Sequence, residues 1–179
     1  QSEHRFLDAA NPAGNFTVFQ PRTMGLVYDI DHYNDKFYIR TNLSAENFKL
    51  MECPLDKTGK DNWKDIIPHR EDVYLDGFTL FKDHLVVSER KDALLQVRII
   101  NQKDRSEHYV KFDEPAYYAA VSTNPDFNTN TLRFVYTSLI TPSSTYDYNM
   151  DTKEKELKKQ QEILGGYDKN NYTTERAWA

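Results

Sequence analysis

An apolar, strand-like run returns three times along this chain at nearly constant spacing. Its copies are Phe37-Tyr38-Ile39-Arg40-Thr41, Leu85-Val86-Val87-Ser88-Glu89 and Phe134-Val135-Tyr136-Thr137-Ser138. The steps from Phe37 to Leu85 and from Leu85 to Phe134 are each about 48 residues, inside the 40–50-residue period of propeller blades. A second run follows each copy, around Phe48-Lys49-Leu50-Met51, Leu94-Leu95-Gln96-Val97-Arg98-Ile99 and Thr145-Tyr146-Asp147-Tyr148. A third follows again, from Trp63 to Ile67, His108 to Phe112 and Glu156 to Lys158. β-Branched and aromatic residues dominate these runs, which favours strands over helices. Turn-forming stretches separate them at Asn34-Asp35, Lys57-Thr58-Gly59-Lys60, Lys82-Asp83 and Asn128-Thr129-Asn130. Each repeat therefore reads as a small antiparallel meander. Such an array is a scaffold or a binding surface, so function is sought at its edges and connections.

The expected fold is all-β: about three four-stranded antiparallel blades of a β-propeller, plus part of another. The partial blade takes residues 1–20, where Arg5-Phe6-Leu7 and Phe16-Thr17-Val18-Phe19 flank the turn Asn11-Pro12-Ala13-Gly14. Full blades are expected over 21–71, 72–115 and 116–164, with a linker over 165–179. One segment pulls the other way. Lys153 to Leu164 (KEKELKKQQEIL), ahead of Gly165-Gly166, has helix-forming composition and a glycine stop. Its place in the repeat predicts a water-facing outer strand instead.

The 179 residues carry a net charge of -5 with both signs interspersed. That balance argues against a nucleic-acid partner, and no apolar stretch is long enough to span a membrane. The chain opens at Gln1-Ser2-Glu3-His4, in mid-pattern and without a methionine, and reads as a piece of something longer. The single cysteine, Cys53, reads as an apolar strand residue.

Catalytic chemistry is hard to find. No G-x-S-x-G turn presents a nucleophilic serine, and the histidines are dispersed one to a segment. Asp29-Ile30-Asp31-His32 places two carboxylates on one strand face, a weak cation signal beside its reading as a polar strand end. Tyr117-Tyr118 and Tyr146-Asp147-Tyr148 read as blade packing ahead of a stacking platform. No metal, cofactor or catalytic residue is assigned.

Several strings together resemble the prolyl oligopeptidase family of serine peptidases, its oligopeptidase B (protease II) branch above all. They are Ile67-Pro68-His69-Arg70-Glu71, Leu75-Asp76-Gly77-Phe78-Thr79-Leu80-Phe81, Phe112-Asp113-Glu114-Pro115-Ala116-Tyr117, and Thr141-Pro142-Ser143-Ser144-Thr145. Lys159 to Tyr167 and Glu175-Arg176-Ala177-Trp178-Ala179 continue the likeness. The resemblance implies the C-terminal half of a seven-bladed propeller, an open arc whose closed ring would need on the order of 340 residues. It implies a partner, the α/β-hydrolase domain of the same parent chain, which carries the catalytic residues and acts on short peptides, after Arg or Lys. The propeller would then restrict access by size. Gly165 and Gly166 become candidate hinge residues; Arg70, Glu71, Asp113, Glu114 and Arg176 become candidate interdomain contacts. The exposed blade faces of an isolated arc would self-associate. Two rivals stay open: a free-standing propeller-type module that binds a peptide or protein, and a small β-rich hydrolase with a hidden carboxylate pair.

Overall fold

The computed structural model describes residues 1–177. Trp178 and Ala179, the end of the resemblance noted above, lie outside the described residues. The chain forms two compact units, Gln1–Leu75 and a second from Asp76 onward.

In the first unit, β1 (Arg5–Phe6) and β2 (Thr17–Val18) pair as an antiparallel two-stranded piece. A four-stranded antiparallel meander follows: β3 (Tyr28–Tyr33), β4 (Lys36–Thr41), β5 (Lys49–Pro54) and β6 (Lys64–Ile67). Strand periodicity places Tyr28 and Ile30, Phe37 and Ile39, and Met51 and Cys53 on one face. That face packs with Phe19 and Trp63 in the core of this unit. The Trp63 indole N–H is not left unsatisfied; it donates to the Thr58 carbonyl at 2.8 Å. Cys53 is a buried member of this core, and burial first, then Glu52, pushes its thiol up to about 11.

Arg40 is the buried charge of this unit, and its partners explain its position. Its Nε donates to the Leu75 carbonyl at 2.8 Å, and its two terminal nitrogens reach Asp29 at 3.1 Å and the Tyr74 hydroxyl at 3.2 Å. The guanidinium lies 3.7 Å from the Phe48 ring centroid, a geometry that suits a planar cation. Asp29 is thereby engaged by Arg40, and the Asp31 carboxylate accepts from the His32 backbone N–H at 2.7 Å. The carboxylates of this strand are occupied by protein partners.

Strand β7 (Tyr74–Leu80) begins in the first unit and continues into the second. With β8 (His84–Lys91), β9 (Leu94–Asn101) and β10 (Glu107–Tyr109) it makes the second four-stranded sheet. The third contains β11 (Tyr117–Val121), β12 (Thr131–Ser138), β13 (Ser144–Asn149) and β14 (Lys155–Gln160). Val86, Val97 and Ile99 from the second sheet join Ala119, Leu132 and Phe134 from the third in one core. The expectation of three four-stranded blades plus part of another is met.

Lys155–Gln160 is a strand, as its place in the repeat predicted, and every one of its residues is exposed. Its helix-forming composition loses to pairing with β13, because propensity is weaker than a tertiary sheet edge. The run expected from His108 to Phe112 ends early, at Tyr109, as a strand. Val110 still donates to the Val97 carbonyl at 2.9 Å. Beyond it Phe112 turns into an aromatic cluster with Tyr117 and Phe134.

The β8–β9 turn, Asp92-Ala93, carries only the aspartate as a turn signal, with alanine where glycine is preferred. Both residues take positive φ, 50° and 60°, the geometry of a two-residue hairpin that Asn-Gly serves best. An L-alanine there is strained by roughly 1 kcal/mol. Ala93→Gly is expected to raise the urea midpoint, with a gain of about 0.5–1 kcal/mol. An unchanged or lower midpoint would show that the strain is relieved elsewhere.

Candidate functional site

A four-stranded meander returns the chain to the end where it entered. Each connection from a fourth strand to the next first strand thus lies at the end where the second strand finishes. Residues 68–73 make this connection after β6, residues 110–116 after β10, and the chain from 161 onward leaves β14 the same way. All seven residues singled out in the sequence sit on these segments. Arg70 and Glu71 lie on the first, Asp113 and Glu114 on the second, and Gly165, Gly166 and Arg176 on the third.

In the first unit, Asn47 holds the connection by its side-chain amide, which donates to the carbonyls of Arg70 at 3.2 Å and Glu71 at 2.7 Å. The Arg70 and Val73 backbones bridge across the same turn, so the backbone here is fixed and Glu71 is exposed.

In the second unit the geometry is richer. Glu114 enters an aromatic box built by residues from three segments. Phe112 stacks on Tyr136 with ring centroids 5.3 Å apart and planes 15° apart. Phe134 stacks on Tyr146 at 5.5 Å and 18°, and Tyr146 meets Tyr136 edge-on. The Thr141 hydroxyl, on the β12–β13 turn, donates to Glu114 Oε1. Glu114 Oε2 is buried and has no hydrogen-bond partner among the described residues. Burial, then the charge of Glu114 and a side-chain hydrogen bond to it, then the charge of Asp113, pushes the Tyr136 hydroxyl far above the ordinary phenol range. The box encloses a cavity of about 160 Å³, which Asp113, Lys155, Gln160 and Lys169 also line.

The chain after β14 folds back over this end. Gln161 donates to the Ser143 carbonyl at 2.8 Å. Gly165 and Gly166 take φ of +94° and +90° with open space around each, a conformation that favours glycine at both positions. The Tyr167 hydroxyl donates to the Ile140 carbonyl, and the Tyr167 and Tyr172 rings stack at 5.6 Å. Between them a single 3-10 turn, Lys169–Asn171, is capped by the Asp168 side chain. Arg176 reaches the β8–β9 turn and donates to the Asp92 carbonyl. Burial raises the Tyr117 hydroxyl, and the Arg176 charge partly offsets that rise. Asp113, Glu114 and Arg176 thus gather at one end of the second unit. Sequence reading missed Thr141, Tyr136 and Lys169, which complete the site from distant segments.

The opposite end of these sheets carries histidines in structural pairs. His84 Nε2 lies 3.0 Å from Asp151 Oδ1, and His108 Nε2 pairs with the Tyr148 hydroxyl at 3.0 Å. Burial, then the charges of Lys153 and His84, holds His108 below its ordinary value near 6.5. With the folded value depressed, the unfolded chain takes up the proton first as pH falls. Stability is then full above about 6.5 and declines as pH falls from there toward the lower folded value. Urea midpoints between pH 8 and 5 should show that fall, and His108→Gln should flatten it; an equally steep fall in the variant would assign it to other groups.

The profile of the family described as "Prolyl oligopeptidase, N-terminal beta-propeller domain" matches residues 1–161. The chain belongs to that family. The propeller segment is also 46% identical over 179 residues to dipeptidyl aminopeptidase BI of Pseudoxanthomonas mexicana, covering 99% of this chain and 24% of that protein. It is 31% identical to protease 2 of Moraxella lacunata, over 99% of the chain and 25% of the relative. Oligopeptidase B from Leishmania major superposes with a TM-score of 0.86 at 25% identity, over 98% of this chain and 26% of that one. The propeller segment thus spans about a quarter of the length of these relatives. The resemblance to the oligopeptidase B (protease II) branch holds, and the relatives are peptidases by name.

Proposed function

We propose that this chain is the non-catalytic, C-terminal half of the propeller that caps a serine oligopeptidase. In this reading the segments 1–20, 21–71, 72–115 and 116–164 are one partial and three whole blades, and 165–179 leads into an α/β-hydrolase domain. The observation that carries the reading is that each connector, and the returning chain with Gly165 and Gly166, lies at the entry end of its own meander. In the second unit a docking domain would meet charged segments there, Asp113 and Glu114 on one connection and Arg176 on the returning chain; in the first unit Arg70 and Glu71 stand on the connection at the corresponding end of their own meander. A narrow passage at that face passes short flexible peptides and rejects folded proteins by size, and its opening would gate entry. The glycines supply a backbone able to absorb the motion. Hydrolysis after Arg or Lys belongs to this proposal through the likeness to protease 2 and oligopeptidase B.

An amidase assay with an arginine-linked chromogenic peptide tests it, run on this chain and on the full-length parent. Activity in the parent alone, blocked by a serine-directed inhibitor and absent on a folded protein substrate, is the expected result. A silent parent would move the reading to a free-standing interaction module, and a chain that cuts by itself would overturn it. Without neighbouring blades, the uncovered blade faces of the arc favour self-association of the isolated chain. Sedimentation should show species larger than the monomer; a strictly monomeric chain would count against the arc.

A further inference from the structure

We propose that Glu114 and its aromatic box form a receptor for one planar cation, the guanidinium of an arginine carried by a polypeptide that docks on this end of the third meander. The inference deepens the cap reading, since it names the chemistry of one contact at the face where that reading puts a docking partner.

The argument starts from Glu114. One of its oxygens accepts from Thr141; the other is buried and receives no hydrogen bond among the described residues. A buried acceptor left in that state costs about 1–3 kcal/mol, and a charged one more. A donor that arrives with a docking partner would recover this. The walls select its shape. The Phe112 and Tyr136 rings stack on each other 5.3 Å apart, so a cation has only the outward faces and edges of this pair, and beside a carboxylate these favour one that can stack and donate at once. Guanidinium does both, whereas an ammonium offers only a point charge. The cavity of about 160 Å³ would hold several waters at roughly 30 Å³ each, room enough for such a group. The field has the right sign: Glu114 and Asp113 both hold the proton on Tyr136.

The nearby lysines do not serve as the occupant. Lys155 Nζ donates to the Lys111 carbonyl at 2.8 Å and lies 5.9 Å from the Phe112 centroid, so it borders the box without entering it. Lys169 stands on the rim from the 3-10 turn, and Glu114 Oε2 receives no bond from it. Their charges weaken binding of a second cation without satisfying the carboxylate.

Aromatic proton shifts of this chain would be titrated with the peptide acetyl-Ala-Arg-Ala-amide and with its citrulline counterpart, which is neutral but nearly isosteric. Saturable shifts at Phe112, Tyr136 and Tyr146 are expected with arginine, and at least ~10-fold weaker binding with citrulline, the worth of a charge-assisted hydrogen bond. Glu114→Gln should bring arginine down to the citrulline level. Equal binding of the two peptides by the unaltered chain would overturn the proposal even if the variant fails to fold, as would arginine binding that Glu114→Gln leaves intact. The parent separates the two sources of the arginine. If the parent's other domain supplies it, the probe shifts Phe112, Tyr136 and Tyr146 in the chain but not in a parent whose serine has been blocked by inhibitor; if a docking peptide supplies it, the probe shifts these rings in both. No binding to either sinks the idea. The titration needs no peptidase activity, so a positive titration beside a silent parent discards the cap reading and keeps the receptor.

Discussion

Phe134→Ala is expected to cost about 3–5 kcal/mol, the range for emptying a fully buried aromatic site. Phe134 is fully buried in the core of the second unit. Its ring stacks on Tyr146 and takes the edge of Phe112 5.7 Å away. Truncation therefore removes two ring contacts besides leaving a cavity, and the neighbours have little freedom to collapse. Leu132 sits on the same strand face, also fully buried, and belongs to the same layer. With whole-domain stabilities of roughly 5–15 kcal/mol, the variant should lose a large share of its stability and unfold at a markedly lower urea midpoint. Urea unfolding followed by near-UV circular dichroism of the aromatic cluster checks this. A loss below about 1 kcal/mol would mean that the box repacks, and the rigid walls invoked for the guanidinium receptor would lose their basis.

Glu89→Ala should be comparably damaging, for an electrostatic reason. Glu89 is fully buried, yet it accepts from Arg98 at 3.3 Å and from the Tyr109 hydroxyl at 2.8 Å. Burial works to lower the Arg98 pKa, but Glu107 and Glu89 outweigh it and the guanidinium stays charged. Removing one partner of a buried pair costs about 3–5 kcal/mol, because the remaining charge is left under-compensated. The cause is separable from simple cavity formation. In the double variant Glu89→Ala with Arg98→Met, a large part of the loss should return, since no buried charge then remains to be solvated and Glu107 is half-exposed. Strictly additive losses would point to packing alone.

The sequence made the second strand of each meander plain, because Phe37, Leu85 and Phe134 open runs that strand packing requires to be apolar. It also placed the outer strand Lys155–Gln160 against its own helix propensity, because repeat position outweighs local preference. The Asp92-Ala93 turn was only partly legible: aspartate suits a turn, but alanine does not, and two paired strands impose its positive φ. The site was half legible. Asp113, Glu114 and Arg176 stand out as charges on connections, although their chemistry depends on residues far along the chain. Thr141 lies 27 positions from Glu114, and Tyr136 and Tyr146 alternate like any packed strand residues. An acidic loop reads the same whether its carboxylate meets water or a dry aromatic wall, so only the fold distinguishes the two.

Strand number parity has a consequence for how such a chain can change. A block of four strands hands the polypeptide on at the end where it was received and in the same direction. Such a block can be copied, deleted or exchanged without reversing anything downstream. A block of three or five would deliver the next strand from the wrong side and invert every later register. The meanders are therefore interchangeable parts, and novelty accumulates cheaply in the short joints between them, where Glu114 and its neighbours reside.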